Sequence, residues 1–206
     1  PESNIDAASQ VAHAISTHKV AMEFDFYTAV DDLQPREETG AGMMGTVEFN
    51  SACFYRYANV DVDQLAENLG GDQDLARRTI EAFLRASKDA IPTGKQNSFA
   101  AQNPPAFILA VIRGNGGPVS LANAFEKPVY TGRNDGLIEP SVEALDNYWA
   151  KFTSMYGTNG IRMITASRMG DTPDLTGLAT VEGFRVVSFE ELLGSVMEAI
   201  EFREGA

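Results

Sequence analysis

In two segments near the start of the chain, the residue types follow a strict two-residue alternation, as if successive side chains lay on opposite faces. In the first, every second residue from Met22 to Val30 belongs to one face, and in the second the alternation resumes at Val47 and runs to Tyr57. A period of two is typical of β-strands. Residues 34–45 between them are rich in Gly, Pro and charge. We therefore expect a long hairpin over residues 22–49 whose tip projects from the body, preceded by a strand over residues 11–20.

Capping residues predict two helices in the middle of the chain. Asp61 or Asp63 can cap a short helix that stops at the glycines of positions 70 and 71. Asp72 can cap a longer helix whose apolar stripe includes Ile80 and which ends at Pro92.

Two further helices are predicted in the second half. Over residues 139–157, apolar residues recur at spacings of 3, 4, 3 and 4 from Val142 to Tyr156, after Pro140 and before Gly157. We expect this amphipathic helix to pack against the core. Residues 188 and 191 are Ser and Glu, which match the capping box of a last helix.

The remaining segments predict strands and loops. Residues 107–113 form an unbroken apolar run, which suits a central strand buried on both faces. Residues 119–130 are expected to hold another extended piece and residues 161–167 a last strand, whereas residues 168–187 have the composition of a loop. Helices and strands are mixed without regular βαβα order, so we predict an α+β fold in a single domain over residues 1–206.

The composition argues against two classes of partner. The chain has 16 Lys and Arg against 29 Asp and Glu, a formal net charge of −13, and such an average field repels nucleic acid. The longest apolar run covers residues 106–112, far fewer than the ~20 residues that cross a bilayer, so no membrane partner is expected. The one cysteine, Cys53, favours a reducing, cytoplasmic location. Since the chain starts at Pro1 and not at Met, we expect a fragment or a processed product.

Few residues have the spacing of a catalytic or metal site. His13 and His18 are five positions apart, so on a strand they point to opposite faces and cannot chelate one ion together. The adjacent Asp31 and Asp32 can hold a divalent cation or can be solvated turn residues. We assign no catalytic residue, metal or cofactor.

The adjacent methionines Met43 and Met44 are unusual in a segment with the composition of a solvated loop. Two apolar side chains gain nothing at a fully solvated tip, so the pair indicates a contact, either with another molecule or with the body of the protein.

Eight short sequence segments between residues 5 and 160 resemble segments of a known protein family. In chain order they are AHAISTH (12–18), YTAVDDLQ (27–34), MGTVEF (44–49), FYRYAN (54–59), ENLGG (67–71), GKQ (94–96), AAQNP (100–104) and LANAFEK (121–127). With these segments the chain resembles the backbone subunit, CasC or Cse4, of the type I-E CRISPR surveillance complex Cascade. The resemblance is weak after residue 160.

The resemblance implies a modified RNA-recognition (ferredoxin-like) palm with a long β-hairpin thumb. Members of this family are longer at the amino end, by a region rich in Lys and Arg. We therefore expect the palm to be N-terminally incomplete here, which would account for part of the negative charge, and the missing region would supply much of the contact with phosphates.

The resemblance also implies a function. Several copies would polymerise along one CRISPR RNA, together with other Cascade subunits, and present its spacer for pairing with target DNA in antiviral defence. The thumb, residues 22–49 here, would cross the guide RNA and kink it. The wedge residues of the family fall on Tyr27, Thr28 and Met44, with Met43 beside them, and their contact with a splayed base would offset an unstacking cost of a few kcal/mol.

Phosphate contacts are expected from local positive charge on this otherwise acidic chain. The candidates are Lys95, Lys127 and Arg133, together with the side-chain amides of Gln96 and Asn123. Contacts of this kind depend on backbone geometry, so any guide sequence would be bound.

Two other function classes stay open. Backbone proteins of related fold cut RNA with a divalent ion, and Asp31 with Asp32 would be the carboxylates of such a ribonuclease. The resembled family has no assigned catalytic residue, which favours a role without catalysis. The third possibility is a protein–protein adaptor that polymerises without RNA.

Overall fold

A computed structural model describes residues 5–29, 43–91, 93–132, 136–170 and 174–203. In these ranges the strands are β1 Ser9–Val11, β2 Ile15–Ser16, β3 Glu23–Ala29, β4 Met43–Phe49, β5 Phe54–Tyr55, β6 Ala58–Val60, β7 Phe107–Arg113, β8 Ile161–Arg168 and β9 Arg185–Val186. The helices are α1 Val62–Asn68, α2 Gln73–Asp89, α3 Gln96–Phe99, α4 Ile138–Tyr156 and α5 Phe189–Ala199, with 3₁₀ turns at Ala122–Phe125 and Leu178–Thr180. The predicted α+β class is confirmed, and the single domain over 1–206 stays a prediction.

The first six strands form one irregular antiparallel ribbon. β1 pairs with β6, β2 with β5, and β3 with β4. The register shifts by one residue between the pairs Val11–Ala58 and Ile15–Tyr55, and by two more before the pair Glu23–Phe49. Extra residues of this kind bend a strand and increase its twist. The β3–β4 hairpin is therefore the far end of a ribbon that is interrupted twice.

This geometry corrects three predictions of the strand pattern. Residues 11–20 do not form one strand, because β1 and β2 pair with different partners. The alternation from Val47 to Tyr57 does not continue as one strand either, since β4 ends at Phe49 and β5 begins only at Phe54, after the four residues 50–53. The predicted loop over 34–45 is too long at its end, because β4 already starts at Met43.

The middle helices begin where their caps were predicted. Asp61 Oδ1 accepts hydrogen bonds from the amides of Asp63 and Gln64, both at 3.1 Å, and Asp72 Oδ1 accepts one from Leu75 at 2.8 Å. Each bond satisfies an amide that has no partner inside its helix. The α2 helix ends next to the ribbon.

A three-stranded sheet of β7, β8 and β9 lies at the centre of the second half. β7 runs antiparallel to β8, and β8 runs parallel to β9. In the part of the chain that is described, β7 pairs with β8 alone and is an edge strand, so the prediction that it is central is wrong. Both of its faces are nevertheless covered, because its apolar residues alternate between two hydrophobic clusters.

Helices cover the sheet on both sides. The first cluster joins α4, through Val142, Leu145 and Trp149, to one face. The second cluster joins α2 and α5 to the opposite face of the sheet. Its buried residues are Ile80, Leu192, Val196 and Ile200. The capping box of Ser188 and Glu191 at the start of α5 is confirmed. This arrangement of helix, sheet and helices forms the body from which the ribbon extends.

Two segments differ from the expected loop or strand. Residues 119–130 contain a 3₁₀ turn in place of most of the extended piece, with one isolated bridge between Val129 and His18. Residues 174–187 contribute to the core, since Leu175, Leu178 and Val181 are buried. Among the described helices, none combines the length and the apolar character needed to cross a membrane.

Candidate functional site

The hairpin brings the predicted wedge positions into register. Thr28 is the Cα partner of Met44, Tyr27 is the partner of Gly45, and Met43 is the partner of Ala29. Successive positions of a strand alternate between the two faces of a sheet, so position 27 belongs to one face and positions 28 and 44 to the other. Met43 and Met44 lie in a strand and not in the loop that their surroundings predicted.

Two exposed phenylalanines were not identified as site residues from the sequence. Phe24 and Phe26 are 56% and 77% exposed, and their positions share a face with position 28. The alternation in the sequence placed these residues on one face but gave no sign that water, and not a core, covers that face. Exposed rings on a projecting strand are candidate contacts for a partner.

A short loop packs against the body end of the hairpin. Lys95 Nζ donates a hydrogen bond of 3.1 Å to the carbonyl oxygen of Glu48, and lies 5.7 Å from the centroid of the Phe49 ring. The Phe49 ring also packs on Phe99, with 5.1 Å between centroids. The predicted phosphate ligand Lys95 is therefore exposed and attached to the hairpin at the same time.

Gln96, the next predicted ligand, begins α3 and is exposed. It lines a cleft of about 310 Å³ together with Lys88, Thr93 and Gln102. Asp89 and apolar residues also line the cleft, and the Asp89 carboxylate lies 3.3 Å from the Lys88 ammonium, so the cleft has mixed charge.

Asn123 and Lys127 lie together in a second, larger groove. The groove has a volume of about 580 Å³ and runs between the 3₁₀ turn Ala122–Phe125 and α4, which contributes Asn147 and Lys151. Lys151 was not identified from the sequence, because no pattern relates it to a residue 24 positions earlier. Glu126 and Glu143 also line the groove, so its charge is mixed.

Tyr55 attaches this groove to the ribbon. The amide of Leu121 donates a hydrogen bond of 2.9 Å to the Tyr55 hydroxyl, and the Tyr55 ring packs on Phe125 with 5.4 Å between centroids. Burial raises the pKa of the Tyr55 hydroxyl above its ordinary value. The neutral phenol is therefore the form that the fold stabilises.

Several predicted residues lie outside the described ranges or apart from the site. Arg133, Asp31 and Asp32 are not among the described residues. His13 is exposed, and His18 Nδ1 lies 3.2 Å from Ser16 Oγ. The described part of the chain brings no three His, Cys, Asp or Glu side chains together as a metal site.

Comparison with solved structures gives extensive matches, among them the following two. One chain of a CRISPR RNA-guided surveillance complex, pre-nicking, has a TM-score of 0.80 at 32% identity, covering 97% of this chain and 52% of that chain. Another, from a CRISPR RNA-guided surveillance complex, has a TM-score of 0.81 at 34% identity, covering 97% of this chain and 73% of that one. The chain thus spans about half the length of the first. These likenesses confirm the predicted RNA-recognition-like fold.

A comparison with curated protein sequences finds no match. The model of a protein family, by contrast, matches almost the whole chain. Residues 1–193 match the model of the CT1975-like protein family, and the chain therefore belongs to that family.

Proposed function

We propose that this chain is part of a guide-RNA-binding backbone subunit of a type I-E CRISPR surveillance complex (Cascade), of the CasC or Cse4 kind. The observation that carries the proposal is the similarity, at 32% and 34% identity over 97% of the chain, to chains of CRISPR RNA-guided surveillance complexes. A subunit of this kind acts by shape and charge and performs no bond chemistry.

The projecting hairpin would act as a wedge between bases of the guide. Thr28 and Met44, which are partners in the ladder, would separate two neighbouring nucleotides, and Tyr27 would contact one of them from the other face. The exposed rings of Phe24 and Phe26 extend the apolar surface beside this point. Stacking of a base on an aromatic ring is worth about 1–3 kcal/mol, which offsets much of the cost of unstacking it.

Phosphate contacts would come from lysines and amides that surround the hairpin and the groove. The proposed ligands are Lys95, Gln96, Asn123 and Lys127, with Arg133 beyond the described residues. To these the structure adds Lys151, which lines the same groove as Lys127. The lysines supply ammonium groups on a chain of net charge −13, two of them in the groove that Glu126 and Glu143 also line. Contacts to the backbone do not depend on base sequence, so base pairing with target DNA would supply the specificity.

The assembly follows from the same role. Several copies would lie side by side along one cytoplasmic CRISPR RNA, next to the other Cascade subunits, in antiviral defence. RNA-independent filaments of the purified protein would instead favour an adaptor.

The test is to purify the full chain with its natural partners and to analyse the bound RNA. We expect RNAs of uniform length and varied sequence, and no cleavage when Mg²⁺ is added. Absence of RNA would contradict the proposal. Cleavage that disappears in Asp31→Ala would replace the backbone role with that of a metal-dependent ribonuclease.

A matched pair of charge reversals then tests the groove. Lys127→Glu should flatten the slope of log K against log salt by ~0.7, the value per phosphate contact on a single strand. Lys19→Glu is the control, because Lys19 is exposed and lies outside the groove. An equal change in both variants would remove Lys127 from the contact set.

A further inference from the structure

The ladder by itself does not fix the direction of the β3–β4 hairpin. Thr17 donates its amide to the carbonyl of Cys53 at 2.9 Å, and the next paired residues are Glu23 and Phe49. Between these two pairs, residues 18–22 on one side stand opposite residues 50–52 on the other, with no ladder pair among them. A ribbon interrupted in this way bends at the interruption. A contact beside the interruption can therefore hold the hairpin at one angle to the body.

Residues 93–102, which we name the latch loop, provide this contact. The Lys95 ammonium donates to the Glu48 carbonyl at 3.1 Å, and the Phe49 ring contacts both Lys95 and Phe99, with the ammonium 5.7 Å and the Phe99 centroid 5.1 Å from its own centroid. Glu48 and Phe49 are the last two residues of β4. The latch loop thus holds the strand at the point where the ladder is interrupted.

The latch loop has a defined backbone of its own. Its helical turn α3 is flanked by Lys95 and Ala100, whose φ angles of 51° and 45° are left-handed values that non-glycine residues rarely adopt. Backbone bonds close the turn, from Phe99 to Lys95 at 3.0 Å and from Ala100 to Gln96 at 2.9 Å. Strained conformations persist only where the surrounding contacts determine them. The turn presents Lys95 and Phe99 to the same ring.

We propose that the latch loop sets the angle of the hairpin, with Lys95 and Phe99 as positioning residues. The consequence for RNA rests on the proposed function: a wedge held at one angle meets each guide nucleotide in the same way. Lys95 carries three N–H donors and uses one on Glu48. A phosphate bound by the other two would be tied to the root of the hairpin.

The test measures the angle directly, in the absence of RNA. Spin labels are placed at Thr46→Cys on the hairpin and at Ala82→Cys on α2, both exposed positions, in a Cys53→Ala background. We expect one narrow distance distribution in the parent chain. Phe99→Ala and Lys95→Met should broaden it, whereas Lys95→Arg should keep it narrow, because a guanidinium can also donate to the carbonyl and stack on the ring.

The matched control is Phe54→Ala, which removes another half-exposed ring, one that lies on β5 and outside the latch. Circular dichroism identifies any variant that fails to fold. If Phe99→Ala does not fold, the distance distributions of Lys95→Arg and Lys95→Met still test the latch. Unchanged distributions in both Phe99→Ala and Lys95→Met, or equal broadening in Phe54→Ala, would overturn the latch.

RNA binding provides the second measurement. Phe99→Ala removes no charge, so it should weaken binding of a single-stranded RNA by about 2- to 12-fold, the equivalent of one aromatic pair, without changing the salt slope. If Phe99→Ala broadens the distance distribution but leaves the RNA affinity unchanged, the proposed link between the latch loop and RNA binding is refuted. If the parent chain binds no RNA, the proposed function fails while the distance measurement alone decides the latch.

Discussion

Gly177 donates its amide to Asp146 Oδ2 at 2.8 Å, and the adjacent amide of Leu178 donates to Oδ1 of the same buried carboxylate at 2.7 Å. Two backbone amides on one carboxylate join the segment after β8 to the middle of α4. This contact explains why Leu178 and its neighbours belong to the core although their sequence has the composition of a loop. It also leaves no room at position 177.

Gly177→Ala should therefore destabilise the protein. A Cβ there would lie 2.2 Å from the carbonyl oxygen of Asp146, whereas the φ of −69° suits any residue, so the cost is steric and should be about 1–3 kcal/mol in the free energy of unfolding. Gly194→Ala is the control, because it lies inside α5 with nothing within 4 Å and should stabilise by roughly 0.5–1 kcal/mol. Urea denaturation measures both, and a gain at position 177 would contradict the predicted contact.

Arg77 closes the carboxyl end of α5. Its guanidinium donates to the carbonyls of Met197 and Ile200, both at 2.8 Å, and lies 5.2 Å from the centroid of the Phe202 ring. Arg77→Ala should lower the free energy of unfolding by about 1.5–3 kcal/mol, because two carbonyls lose a charged donor. The neighbouring Arg78 is exposed, and Arg78→Ala should change stability by less than about 0.5 kcal/mol. Equal losses in the two variants would show that the helix end does not depend on Arg77.

Tyr55 predicts how stability changes at high pH. Its pKa is raised by burial, so the folded state holds the phenolic proton more tightly than the unfolded state. This contribution is complete below the unfolded pKa of about 10 and is lost as pH rises through the folded pKa. Tyr55→Phe should be less stable near neutral pH, where the amide of Leu121 loses its acceptor, and should show a smaller decrease above pH ~10.

Denaturation series between pH 8 and 11 compare this variant with Tyr130→Phe, in which the replaced ring is 77% exposed. Tyr130→Phe should follow the parent chain. Parallel curves for Tyr55→Phe and the parent would contradict a role for the phenolic proton.

The sequence predicts local structure well where the residues on one face of a helix or strand recur at a regular spacing. The hairpin, both capped middle helices and the bounds of β7 follow from period and caps, because these are properties of neighbouring residues. The edge position of β7 does not, since strand order depends on contacts between distant segments. The local sequence also does not indicate where the ribbon is interrupted, because the alternation continues from Val47 to Tyr57 although β4 ends at Phe49.

For the candidate site, too, the sequence predicts some features and misses others. The resemblance placed Thr28 and Met44 together at the wedge without relating them to each other, and the register shows that they are partners in the ladder. The exposure of Phe26, by contrast, depends on which segments pack over the hairpin, and alternation does not show whether any of the described residues does so. The contact of Lys95 with Glu48 joins residues 47 positions apart. Sequence reasoning identified Lys95 by its charge and missed its attachment to the hairpin.

The wedge itself gives the last prediction. If Thr28 and Met44 separate two bases of the guide, Met44→Gly should remove apolar contact with a splayed base and weaken RNA binding by roughly 12- to 150-fold, the equivalent of about 1.5–3 kcal/mol for a buried methionine side chain. The salt slope should not change, because no phosphate ligand is lost. Thr46→Ala is the matched control, two positions nearer the body on the same face of β4. A guide with 2-aminopurine at successive positions should fluoresce strongly at regular intervals on the parent chain and on Thr46→Ala, because an unstacked base is not quenched. Evenly quenched fluorescence on the parent chain would mean that no kink exists, and a regular pattern that persists in Met44→Gly would assign the kink to other residues.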